Sequence, residues 1–190
     1  MLDFRSLQAA MCGVDHVFHL AGIISIMPGH HPLLQLVNVV GTRNMVHAAI
    51  TAGVRRFIYT SSIHALSRVP HGVCIDEKVP FDPEHAISDY DRSKAQASLE
   101  VLKASRQGLN TVLTCPTGVI GPYDFRHSEM GQLILDCALR RPQLYVDGAY
   151  DFVDVRDVAQ GLIAARDKGR SGETYIVSGE LISVHNLLAS

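Results

Sequence analysis

Short, compact apolar runs alternate along this chain with longer stretches in which apolar residues recur at three- and four-residue spacing. "HVFHLAG" (16–22) is a compact run ending in small residues and reads as a buried strand. "PLLQLVNVVGTRNMVHAAITAG" (32–53) carries its apolar residues at helical spacing, opens on Pro and stops at Gly53. "RRFIYTSS" (55–62) is a second strand, residues 88–106 a helix, and "NTVLTCPTG" (110–118) a third strand. Helices follow at 128–141 and 156–169, strands at 151–155 and 173–179, and a helix start at "SVHNLLAS". Continuous apolar strands separated by helices predict an α/β fold, a parallel sheet covered on both faces. Right-handed crossovers then bring the strand C-termini to one rim, where open α/β sheets place their ligands.

Those ends are chemically distinctive. The first three strands finish in "HLAG", "TSS" and "CPTG", small residues that permit close backbone approach and hydroxyls that can donate or accept. After the second, beyond an intervening segment, comes "ISDYDRSKAQASLEVLKAS" (87–105), an amphipathic helix with Ala95, Leu99, Val101 and Leu102 expected in the core. Tyr90 and Lys94 stand at i and i+4 and share a helical face. An ammonium beside a phenol lowers the phenol's pKa and suits it to proton transfer near neutral pH. With a Ser hydroxyl at the same rim, the pair can polarise a carbonyl and move its proton, chemistry suited to hydride exchange between an alcohol and a nicotinamide.

Composition narrows the partners. The chain has 190 residues, enough for one domain, with 47% hydrophobic and 19% charged residues and a net charge of −2. Without a basic stripe and without Trp, nucleic-acid binding is not expected. No apolar run reaches the roughly 18 residues of a membrane span, and "MLDFRSLQAAM" does not read as a secretory signal. Cys12, Cys74, Cys115 and Cys137 are scattered and form no C-x-x-C pair, which suits a reducing cytoplasm. The "GHH" at 29–31 reads as loop rather than metal ligands, and no metal is expected.

"DHVFHLAG", "NVVGTRNMVHAA", "VRRFIYTSS", "YDRSK", "CPTGVIGP" and "DFVDVRDVAQGLIAA" occur in the order and at roughly the spacing found in the extended short-chain dehydrogenases/reductases, the NAD-dependent epimerase/dehydratase family. The chain resembles that family over nearly its whole length, closest in wording to sugar-epimerase-like and dihydroflavonol-reductase-like members. The resemblance implies a Rossmann-like, doubly wound parallel sheet and NAD or NADP as cofactor. It implies Tyr90 as the acid/base and Lys94 as the residue that lowers its pKa and bonds the nicotinamide ribose. Ser62 would bind the substrate carbonyl oxygen. Leu20, Ala21 and Gly22 would line the cofactor through their backbone, Asn38 matches the family's "N-x-x-G-T", and Pro116 and Thr117 would border the nicotinamide. Asp157 reads instead as a helix N-terminal residue balancing the dipole.

The family's opening strand and G-x-x-G-x-x-G loop, whose amides hold the pyrophosphate, have no counterpart in this sequence. The expected architecture is therefore a single partial domain over 1–190 lacking its first βαβαβ unit, with substrate-binding segments around 121–150 and 170–190. The 16–21 strand would present an open edge, which invites pairing with another chain, a homodimer included. The implied activity is oxidation, reduction or epimerisation at a secondary alcohol or ketone of a small polar substrate, a sugar nucleotide or similar. Sugar-nucleotide dehydratases carry Asp-Glu directly after the strand-end hydroxyl; here "SSIHALS" stands there and Asp76–Glu77 come too late, which disfavours that branch. The alternative is an inactive remnant of the same fold that binds a related subunit by its open edge.

Overall fold

The structure is a computed structural model that describes residues 1–24, 32–70, 72–125, 128–139, 141 and 148–189. The "GHH" stretch read as loop lies outside the described residues, as does part of the 121–150 segment. In chain order the elements are α1 (Phe4–Met11), β1 (His16–His19), α2 (Pro32–Leu34), a π-helical segment (Gln35–Val40), α3 (Gly41–Ala52) and β2 (Arg56–Thr60). A 3-10 turn (Ile63–Ala65), α4 (Asp89–Arg106), β3 (Thr111–Pro116), β4 (Gly118–Ile120) and α5 (Glu129–Ala138) follow. The chain continues through β5 (Ala149–Asp154), α6 (Val155–Lys168), β6 (Thr174–Val177), β7 (Glu180–Ser183) and α7 (Val184–Ala189).

The fold divides into two compact units, Met1–Cys115 with Gly161–Ile176, and Pro116–Gln160 with Val177–Ser190. The first is built on a sheet of order β1-β2-β3-β6 with flanking helices, a Rossmann-like α/β arrangement. β1 pairs parallel with β2, His16 opposite Arg56, and β2 parallel with β3, Phe57 opposite Thr111. β2 and β3 are apolar on both faces because helices cover both: Phe57, Ile58, Val112 and Leu113 are fully buried. β1 alternates, with Val17 and His19 inward and Phe18 38% exposed, as befits the end of the described strand order. Val46, Ala49, Phe57, Tyr59, Ala97, Val101 and Leu113 form the centre of the core. The small side chains of Ala97, Val101 and Ala104 let α4 lie close to its neighbours.

The second unit holds a sheet of order β4-β5-β7, with β4 parallel and β7 antiparallel to β5. It gathers the segments expected around 121–150 and, from residue 177, around 170–190. Gly118 is a close approach: a Cβ there would come within 2.8 Å of the Phe152 and Tyr150 rings.

Several elements depart from the periodicity reading. The helix expected over 32–53 is not uniform; six residues around Asn38 widen into a π-turn, and Gly53 ends α3 with φ 66°. The strand expected over 110–118 is two strands in different sheets, because Pro116 has no N–H to carry the ladder on. β7 was hidden from periodicity by its four-residue length. Leu99, expected in the core, is 41% exposed; Ala97 and Ser98 face inward in its place.

Candidate active site

Helix α4 starts where it does because Ser88 caps it: the Ser88 hydroxyl accepts from the Asp91 N–H, with Asp89 and Asp91 in the first turn. That start places Tyr90 in the first turn and Lys94 one turn further, on the face that packs against the sheet. Lys94 is 6% exposed. Its Nζ donates to the Thr60 carbonyl at 2.6 Å and lies 4.8 Å from the centroid of the Tyr59 ring. Burial lowers its pKa to about 8, an effect partly opposed by Cys115.

The end of β2 is therefore held against α4 at two successive residues. Thr60 gives its carbonyl to Lys94, and Ser61 shares a 2.6 Å hydroxyl–hydroxyl bond with Ser98, which also donates to the Lys94 carbonyl. With Ser61 committed to the helix, Ser62 is the hydroxyl at the strand end. Buried itself, it accepts the His64 N–H and starts the 3-10 turn. The two adjacent serines, which the sequence alone leaves interchangeable, thus have separate surroundings. Thr60 Oγ1 is a buried hydroxyl without a partner among the described residues.

Asn38 is 2% exposed, and its amide is fully engaged. Its Oδ1 accepts the Ile23 N–H at 2.8 Å, while Nδ2 donates to the Ile23 carbonyl at 2.9 Å and to Ser93 Oγ at 3.0 Å. Ser93 in turn donates to the Tyr90 carbonyl at 2.8 Å. Asn38 thereby ties the segment after β1 to the first turn of α4. Gly22 lies close beside it: a Cβ there would stand 3.2 Å from Asn38 Oδ1, so the amide would have to give a little. Leu20, Ala21 and Gly22 are exposed, with their backbone accessible beyond the end of β1.

Pro116 and Thr117 belong to the second unit, where the Thr117 N–H donates to the Val177 carbonyl at 3.1 Å. The second unit also has its own cavity of about 490 Å³. Val119, Ile120, Met130, Ile134 and Leu135 line it, with Asp124 and Ser128 as polar members. Asp157 sits in the first turn of α6, as its dipole-balancing role requires.

Beneath this rim lies a polar chain that sequence reasoning missed. His19 Nε2 and Thr42 Oγ1 are 2.8 Å apart, and the His19 and Tyr59 ring centroids are 5.3 Å apart. Burial, with Lys94 nearby, lowers His19 to about 4, so it is neutral at pH 7. The available signal was polar residues on inward faces: His19 within "HVFH", and Ser93 and Ser98 on the Lys94 side of α4. Among the described residues no cluster of His, Cys, Asp and Glu could hold a metal, and no helix is long and apolar enough to cross a membrane.

Comparison with known proteins gives the family. The NAD dependent epimerase/dehydratase family profile matches residues 1–178. The chain is 40% identical over 188 residues to sterol demethylase protein B of Methylococcus capsulatus, covering 98% of this chain and 56% of that protein. A Synechocystis protein named as a dihydroflavonol 4-reductase is 35% identical over 192 residues, 99% of this chain and 56% of that one. The crystal structure of gox2253 superposes with a TM-score of 0.92 at 37% identity, covering all of this chain and 58% of that one. The chain thus spans about half the length of the curated relatives it matches. By its strand order, its rim residues and these matches, it belongs to the NAD-dependent epimerase/dehydratase family.

Proposed function

We propose that this chain carries the acid–base centre of an NAD(P)-dependent oxidoreductase that interconverts a secondary alcohol and a ketone. The observation that carries the reading is the placement of Lys94, one turn from Tyr90, gripping the strand end two residues before Ser62. In this reading Tyr90 gives a proton to, or takes it from, the substrate oxygen, and Ser62 holds that oxygen. Lys94 favours the ionised phenol and bonds the nicotinamide ribose. When bound, the dinucleotide supplies or accepts the hydride.

The residues present fit the nicotinamide end of such a cofactor. Leu20, Ala21 and Gly22 are exposed at one strand end, and the Thr60 carbonyl holds Lys94 at the next. Asn38 acts in this scheme through the Gly22–Ile23 backbone rather than by touching the cofactor, since its own amide is already engaged. The sequence has no glycine-rich pyrophosphate loop, so these residues account for one end of the dinucleotide.

Two relatives at 40% and 35% identity bear sterol and dihydroflavonol names, which favours a dehydrogenase or reductase on a ring ketone or alcohol. A sugar-nucleotide substrate, with epimerisation as the outcome, rests on more distant likenesses, such as a nucleoside-diphosphate-sugar epimerase at 26% identity. The test is reduction of a 3-ketosteroid and of a dihydroflavonol by the chain with NADH and with NADPH. Tyr90→Phe should lower turnover by about two to four orders of magnitude, the usual range for losing a general acid–base group. Unchanged turnover in that variant would remove Tyr90 from the chemistry.

A further inference from the structure

A buried ammonium ordinarily has a carboxylate beside it. Lys94 has none among the described residues; its partners are the Thr60 carbonyl and the face of the Tyr59 ring, 4.8 Å from Nζ to centroid. The carbonyl satisfies one of three ammonium donors. Two titratable groups near it are uncharged at neutral pH: the Cys115 thiol on β3 is pushed up to about 12, and His19 on β1 is held at about 4. Tyr90 bears on Tyr59 from the same helix as Lys94 and Glu77 bears on Cys115, while Asp91, a buried carboxylate one turn before Lys94 on α4, makes no ion pair with it.

The ring itself is fixed. Tyr59 is 1% exposed, and the His19 ring packs on it. Burial raises its phenol far above the usual tyrosine range, so the ring remains neutral with its negative π-face intact. Such a face attracts a cation within about 6 Å, more strongly where water is excluded.

We propose that Tyr59 is a positioning residue, its ring face forming the seat that keeps the Lys94 ammonium charged and anchored at the end of β2. The assignment rests on the reading of Lys94 as the partner of Tyr90, and it separates from simple packing. Packing needs only a ring of the right volume; a cation seat needs an electron-rich one.

The test is NMR titration of the Lys94 side chain in the 190-residue protein, with the signal assigned by its loss in Lys94→Met. Position 59 is varied through Phe, trifluoro-Phe and pentafluoro-Phe, which keep the ring and progressively weaken its face. Tyr59→Phe should leave the Lys94 midpoint near its wild-type value, and fluorination should lower it in steps to a total of about one pH unit. Should the Phe series not fold, 3,5-difluorotyrosine retains the hydroxyl and should produce a smaller drop of the same sign. A midpoint insensitive to fluorine in every folded variant would overturn the proposal. The measurement needs neither cofactor nor substrate. A fluorine-dependent midpoint without turnover would therefore count against the oxidoreductase reading alone, and normal turnover with a fluorine-independent midpoint against the seat alone.

Discussion

Lys94 is expensive to fold around. Burial holds it at about 8 against 10.5 when free, so between those values the unfolded chain binds more protons than the folded one. Stability should consequently rise as pH climbs from about 8 to 10.5, with the full cost present below 8. Lys94→Met removes the charge and keeps the stem. It should stabilise the protein at pH 7 by about 1–3 kcal/mol, the upper figure being the pKa difference and the lower allowing for the lost Thr60 bond. It should also flatten that alkaline rise, which urea unfolding at several pH values would show. Equal or lower stability at pH 7 would mean that the ammonium is not under strain. A residue retained at a cost to stability is what a functional role leads one to expect.

At the scale of elements, the site depends on the joints between segments more than on any one of them. The π-turn, the segment after β1 and the first turn of α4 meet through Asn38 and Ser93, three hydrogen bonds from a single amide. Asn38→Leu keeps the volume roughly but leaves the Ile23 N–H and carbonyl without a partner. A loss of about 2–4 kcal/mol should follow, since each orphaned buried group costs about 1–3. A thermal or urea midpoint within error of wild type would show that water replaces the amide at no cost.

This joint also marks the limit of what the sequence discloses. β1, β2, α4 and the Tyr90–Lys94 face were legible because strand runs and helical spacing are local signals. The rim was legible from its small and hydroxyl residues. Tertiary pairing was not: nothing local distinguishes Ser61, committed to Ser98, from Ser62, and nothing local foretells that Leu99 faces outward. The π-turn escaped because one extra residue per turn alters the apolar spacing little over six residues. β7 escaped because its partner, β5, lies some thirty positions earlier in the chain.

Taken whole, the described chain divides into two compact units, the first holding Ser62, Tyr90 and Lys94 and the second its own largely apolar cavity. Its family membership rests on a profile match over residues 1–178, while the matched relatives are nearly twice as long. In the reading proposed above, the rim residues meet the nicotinamide end of a dinucleotide. For such a ligand, orientation is more informative than strength. The most direct measurement is saturation-transfer NMR with NADH and NADPH at millimolar concentration, which reports which cofactor protons lie against the protein. The account predicts saturation at the nicotinamide and its ribose, reduced at least about tenfold in Lys94→Ala by loss of a charge-assisted hydrogen bond. Saturation confined to the adenine, or unchanged in Lys94→Ala, would contradict it.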